Sequence, residues 1–595
     1  MADKKDKKKK KEEKKQKKKD KEKKEDFVKQ LKIAYAAIDN KKKFYTTIFL
    51  PLLLIGLIVF CLPFLLPIII GMPIKLDMIT FIIGGIVPIF LGIFYPYISW
   101  KNKENDINGK MHFFITHIRV LAISDLSLKD IINMIGGKPV YGALGEELKK
   151  ISILSTQWRM PLSKTFRFIS ARTPSKILKD FLDRFSQSLD SGVEHREFIE
   201  IEQDAVLQEY KTMYESSNEN IVILNEVYVS MLIAIIFVMA LGIVLPVIMG
   251  PESMNMYIYV SSFMLIVAEG LLLYLIRAMI PPDEIWHKTG EKGELEEKLS
   301  KMFKISLIAF IGIGVTLFVM KYYLFIPFAV SLQIELIFAF SISPFLIVGA
   351  KTFIEEKKIA RKENNFLGFL QALGSISAMR GGKINESVYY LSEKDYGVLT
   401  EHVKNLYRRL RTRINDDDAW EWFGVDTGSN YVQRAGEMFR EATFAAANPR
   451  KVSKMIAENI RKIRDLRVKK LTIANTSIAL FAGITFGIAF AIYVSLVIGQ
   501  HMNNVMLDVG DPFSETEGMA AIGSILRSVS PENYSFAFIL VFFVLVIHCL
   551  MLSLTLKTLR GSHNYITLVY FVPFVWIVAI TSVIVQTAIG GILTI

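Results

Sequence analysis

The sequence predicts an all-α polytopic membrane protein with about nine transmembrane helices and two homologous cytoplasmic helical bundles. Three observations carry that reading: apolar runs of spanning length, charge segregated between them, and an internal repeat at near-constant spacing. The chain has 595 residues, 51% of them hydrophobic, yet it carries 72 basic and 58 acidic side chains for a net charge of +14. Two cysteines exclude a disulfide scaffold and a Cys-based zinc or iron–sulfur site.

Crossing a hydrocarbon core of ~30 Å takes roughly 20 helical residues. Runs of that kind fall at about 45–70, 78–99, 227–249, 256–280, 303–320, 325–350, 471–498, 535–556 and 565–589. Lys41, Lys42 and Lys43 precede the first run, which places the N-terminus in the cytoplasm, and nine crossings leave the C-terminus external. Alternation then puts 100–226, 281–302, 351–470 and 557–564 inside, each flanked by lysine or arginine. The external loop 499–534 is acidic, with Arg527 as its one lysine or arginine. The first run follows 43 mostly polar residues, too many for a cleavable signal, and reads as an anchor that stays in a plasma-membrane protein.

The charge divides unevenly over six segments. Residues 1–43 hold 20 lysines and 9 acids and predict a disordered tail, because such a segment cannot bury enough apolar surface to offset its ordering entropy. That tail is expected to meet water or anionic lipid headgroups, not nucleic acid. A transmembrane hairpin follows at 44–100, then a first cytoplasmic domain at 101–226 with net charge −1. Four spans occupy 227–350, a second cytoplasmic domain of net charge +8 occupies 351–470, and three spans complete the chain at 471–595.

The two cytoplasmic domains read as copies. Tyr141-Gly142-Ala143-Leu144 through Lys149 matches Tyr396-Gly397-Val398-Leu399 through Lys404 at an offset of 255. Leu128 and Ile132 match Ile384 and Val388, Phe166 matches Trp422 and Phe185 matches Phe439. Gly136-Gly137-Lys138 and Gly381-Gly382-Lys383 need a different offset, 245, and are a coincidence. Apolar residues at three- and four-residue steps, Leu178, Phe181, Leu182, Phe185 and Leu189, predict an amphipathic helix ended by Gly192. In the second copy Asn448-Pro449 opens a helix with Val452, Ile456, Ile460, Ile463 and Leu466 facing inward. Neither that helix nor 194–226 contains a break before its span, so both read as stiff struts into the membrane.

No motif for chemistry is present. Gly381-Gly382-Lys383-Ile384 lacks the pattern of a phosphate loop, His112 and His117 are five apart and off one helical face, and no serine sits in a nucleophile elbow. Asp416-Asp417-Asp418 reads as a solvated loop and not a cation site. The chain is therefore expected to be no enzyme and to hold no cofactor or metal. Ionisable groups within spans are expensive and need a role. Glu269, Glu335 and nearby Gln333 read either as interhelical hydrogen-bonding groups or as an ion path, the latter implying an ion-coupled transporter.

The layout of duplicated helical domains, each feeding a long helix into spans, resembles the type II secretion F-domain family. The stretch from Phe181-Leu182-Asp183-Arg184-Phe185 to Gly192, followed by Glu197-Phe198 and Glu202-Gln203, is similar to its archaeal branch of nine-span platforms for the archaellum. The likeness covers residues 101 to 595; the second copy departs from it at Ala446, where glycine would fall after Phe439 and Thr443, so its helix is expected to end differently. The resemblance implies a non-enzymatic platform that binds a hexameric cytoplasmic secretion or motor ATPase and passes its work to pilin-like or archaellin subunits. A homo-oligomer, dimer or trimer, is expected, and a platform for another pilus or adhesin is the alternative machine. The +8 domain offers two cationic clusters for an acidic ATPase surface: Arg408, Arg409, Arg411 and Arg413, and Arg450, Lys451, Lys454, Arg461, Arg464 and Arg467.

Overall fold

The computed structural model describes residues 31–35, 41–70, 78–244, 252–287, 293–412, 415–510 and 531–593. The tail through residue 30, Arg413 and residues 511–530 of the acidic loop lie outside these. Among the described residues the fold is all helical, and its only β feature is an isolated bridge between Trp286 and Ser429.

Six helices are long and apolar enough to cross a membrane, or seven if one bent pair is counted as a span. The first two of the nine expected runs fall on helices Leu50–Ile70 and Met78–Ala122, which are not among those seven. The bent pair changes the expectation for 325–350. Helix Ile334–Ile342 meets Phe345–Met379 at 43°, because Pro344 at the junction has no N–H to continue the ladder. The acidic loop is also shorter than 499–534, since helix continues to Gly510 and resumes at Pro531.

Hydropathy boundaries are not structural breaks. The first bundle begins on an incoming helix, Met78–Ala122, that runs on from an apolar segment, and it ends on a strut, His195–Val244, that runs into one. Phe345–Met379 and Pro449–Gly510 do the same for the second bundle. Between incoming helix and strut each bundle has four helices: Leu128–Ile135, Gly142–Thr156, Leu162–Ser170 and Lys176–Asp190 in the first, and Ile384–Ser392, Thr400–Arg411, Asp416–Thr427 and Asn430–Phe444 in the second. One apolar core runs through both bundles and a second joins the membrane helices.

The duplication is visible in backbone detail. Gly142 and Gly397, the matched glycines, both have left-handed backbone, φ 47° and 58°. A polar residue of each incoming helix pins that turn: Asp106 accepts from Ala143 N at 2.8 Å, and Asn365 donates to Tyr396 O at 2.6 Å. Ser175 and Ser429 cap matched helices by accepting from Leu178 N and Val432 N. Gly136 and Gly137 lie between the first two helices of their bundle whereas Gly381 and Gly382 lie between the incoming helix and the first, so the two glycine pairs do not occupy matched places.

Three expectations change. Phe185 and Phe439 occupy matched buried places, but Trp422 is 36% exposed and Trp420 fills the core instead. Asp416, Asp417 and Asp418 form the first turn of a helix rather than a loop, where carboxylates complement the helix dipole, and Asp417 pairs with Arg440. Finally, Ala446 adopts φ 62° where Gly192 has 75°. Ala447 N reaches Ala442 O just as Val193 N reaches Ser188 O, so both copies close their helix in the same way.

Candidate functional site

The segment 280–287 links two membrane helices and is threaded between the struts, the second bundle and the last helical turn. Its backbone is held from three sides. Ile285 N donates to Gly561 O at 3.2 Å, Asn430 N donates to Ile285 O at 3.0 Å, and His287 N donates to Gly428 O at 3.2 Å. Trp286 donates its indole N–H to Glu356, which also accepts from Ser562 Oγ at 2.9 Å and His563 N at 3.0 Å.

Asp283 lies at the centre of this arrangement, fully enclosed. One carboxylate oxygen accepts from Arg467 Nη2 at 2.5 Å and Tyr431 Oη at 3.0 Å. The other accepts from Arg467 Nε at 3.0 Å, Tyr214 Oη at 3.2 Å and Lys470 Nζ at 3.3 Å. Arg467 turns its remaining Nη1 to Glu363 at 3.2 Å and lies over the Tyr431 ring at 3.9 Å. Ser429 Oγ donates to Glu363 at 2.7 Å. Both struts and the helix capped by Ser429 therefore meet on one loop carboxylate, and the second incoming helix joins them through Glu363 and Arg467.

Two buried anions face two buried cations; Asp283, Glu363 and Arg467 each gain several hydrogen bonds and Lys470 is paired with Asp283, the condition under which burial of charge is tolerated. Burial alone would raise the Asp283 carboxyl, but Arg467 and Lys470 hold it far below the usual carboxylate range. Burial raises Glu363, and Arg467 with Ser429 offsets this only in part. The first copy lacks these charges: Ser175 Oγ donates instead to Asn108 at 2.5 Å. The ionic hub is a specialisation of the second copy. A cavity of about 570 Å³ adjoins it, lined by Arg277, Lys470 and Lys557 together with Asp106, Asp283 and Glu296, so its charge is mixed.

A second polar contact joins the bundles to each other. Lys138 Nζ donates to Glu437 at 2.7 Å and also pairs with Glu441. His117 bonds Tyr141 Oη at 2.9 Å and lies 3.2 Å from Glu441, whose carboxyl is brought down to about 2; burial opposes that shift, and His117 and Lys138 outweigh it. Across the struts Lys462 pairs with Asp204 at 3.5 Å and Lys469 with Glu215 at 2.8 Å. Part of the charge difference between copies is thus complementarity between them.

The sequence-predicted cationic clusters separate on the structure. Arg467 is 5% exposed and belongs to the hub, so it cannot face a partner. Arg464 donates to Asn364, Arg409 pairs with Asp426 at 2.6 Å, and Arg408 donates to Asn405. Arg408, Arg411, Arg450, Lys451, Lys454 and Arg461 are exposed, and Arg413 lies outside the described residues. Helical periodicity carries the signal for Arg467: it stands four residues after Ile463 and seven after Ile460, on the inward stripe. Glu363 carries the same signal, four residues after Ile359 and three before Phe366 on a buried stripe, whereas Asp283 carries none.

In the membrane core, Glu269 pairs with His548 and accepts from Tyr228 at 3.4 Å. Glu335 accepts from Ser582 at 3.2 Å, and Gln333 donates to Gln586 at 2.8 Å. These are separate groups of contacts, and each fits an interhelical hydrogen bond. Among the described residues one spanning helix is bent, with no bent counterpart in the first half, and no cluster could hold a metal.

This arrangement defines a multi-pass membrane scaffold whose polar bundles are mechanically continuous with its spans. Residues 114–243, from the first incoming helix to the end of the first strut, match the family model "Type II secretion system (T2SS), protein F". The chain is 33% identical over 503 residues to flagella accessory protein J of Methanococcus voltae, covering 84% of this chain and 88% of that protein. It is 31% identical over 502 residues to flagella accessory protein J of Methanocaldococcus jannaschii, with the same shares covered. The chain belongs to the flagella accessory protein J family, non-catalytic membrane platforms of archaellum assembly and motility. No solved structure matches it significantly.

Proposed function

We propose that this chain is the platform of an archaellum, with its N-terminus and both bundles in the cytoplasm and its C-terminus outside. It binds a hexameric cytoplasmic motor ATPase and passes the motion of that partner to pilin-like filament subunits, as a dimer or trimer. The observation that carries this reading is the pair of unbroken struts, 50 and 62 residues long, which meet at Asp283. A helix rises 1.5 Å per residue, so each strut is a lever of roughly 75–90 Å from bundle tip to far membrane face. Anionic headgroups hold the Lys-rich tail. The ATPase contacts the exposed cations of the second bundle, Arg408, Arg411, Arg450, Lys451, Lys454 and Arg461.

The test reverses Arg408, Arg411, Arg450 and Lys451 to Glu together in the full-length platform. Capture of the ATPase from detergent-solubilised membranes is expected to fall while membrane insertion is unchanged; undiminished capture would sink the reading.

A further inference from the structure

The two bundles end differently at the tips farthest from the membrane helices. At the second tip the incoming helix stops at Met379 and the strut starts at Pro449, side by side: a Cβ on Gly374 would lie 2.6 Å from Pro449 O. Two large apolar side chains stand out there, Phe444 at 87% and Met379 at 77% exposure. Around them Lys383, Arg450, Lys451 and Lys454 are exposed, and Arg450 and Lys451 make no ion pair among the described residues.

The repeat gives an internal control. At the offset of 254 that relates Gly192 to Ala446, Phe444 corresponds to Asp190, Lys451 to Glu197 and Lys454 to Glu200. The first tip is acidic, and its Arg196 is already engaged by Asp125 at 3.1 Å. The same backbone, closed by the same turn, thus carries an apolar knob in a basic ring in one copy and carboxylates in the other. Solvation does not require an exposed phenylalanine, and an apolar centre with a charged rim is the composition of a protein interface.

We propose that the distal tip of the second bundle, centred on Phe444 and Met379, is the docking surface for the ATPase, onto a patch of that protein with an apolar recess and an acidic rim. This deepens the functional reading above and rests on it. The tip is the part of the bundle that a large cytoplasmic ring reaches first.

The experiment measures binding of the purified motor ATPase to the full-length platform in nanodiscs. Phe444→Asp, which installs the residue of the first copy, is expected to weaken binding at least tenfold, Met379→Ser severalfold, and Lys451→Glu severalfold with a shallower salt dependence. Phe444 and Met379 are exposed, so these changes leave the bundle folded, which thermal unfolding of the same samples checks. If Phe444→Asp and Met379→Ser bind like wild type while wild type binds, the docking surface is wrong and the platform reading stands. If wild type itself does not bind, the ATPase reading falls and this proposal with it.

Discussion

Asp283 and Arg467 meet at 2.5 Å across 184 residues of sequence, one on a loop between membrane helices and the other on the second strut. Together with Tyr214 and Tyr431 they make one buried carboxylate the point where both struts and the second bundle are tied to the membrane half. Breaking such a pair from one side leaves a buried charge uncompensated, which typically costs about 3–5 kcal/mol. Asp283→Ala and Arg467→Met are each expected to destabilise by that order, with the double variant less destabilised than the sum by about 1–3 kcal/mol. Chemical unfolding of the four proteins in detergent measures the coupling.

Ala446 carries backbone strain that Gly192 avoids at the matched turn. A non-glycine residue in the left-handed region costs roughly 1 kcal/mol. Ala446→Gly is expected to raise stability by up to about 1 kcal/mol, and Gly192→Ala to lower it by about the same amount, both read as shifts in unfolding midpoint.

Much of this fold was legible in sequence because it rests on periodicity. The inward stripe Val452, Ile456, Ile460, Ile463 and Leu466 is buried as its spacing requires, and Asn448 caps the strut through Arg450 N and Lys451 N. The hub was not legible as a unit, because tertiary packing brings Asp283, Glu363 and Arg467 together, and helical phase marks only Glu363 and Arg467 as inward-facing. Counting Arg467 with the outward cations followed residue type instead of helical phase. The Ala446 turn was hidden for the opposite reason, since packing forced a conformation that alanine does not prefer.

Acid should loosen the cytoplasmic half through histidines packed within the bundles and beside the hub. Burial chiefly lowers His112 to about 3, His402 to about 4 and His563 to about 4. Their folded values lie below the unfolded value near 6.5, so below that pH the unfolded chain takes up protons that the folded chain refuses. Stability is therefore highest above about pH 6.5 and falls as pH drops toward 4. His112, fully buried in the first bundle, should give up part of that acid sensitivity on substitution by Leu. Unfolding midpoints of both proteins from pH 7.5 to 4.5 test this.

Glu269 and Glu335 are expected to serve packing, each bonded by its own neighbours. Glu269→Gln and Glu335→Gln preserve shape and hydrogen-bonding capacity, so filament number per cell should stay within twofold of wild type. An ion flux that disappears in either variant, together with loss of filaments, would favour a transporter instead.

The hub is expected to carry motion from bundle to membrane. Filaments are counted on cells whose platform carries Asp283→Asn, with ATPase capture measured on the same membranes. Insertion and ATPase capture should be normal and filaments reduced at least tenfold. Wild-type filament numbers from that variant would rule out a role for the hub in transmission.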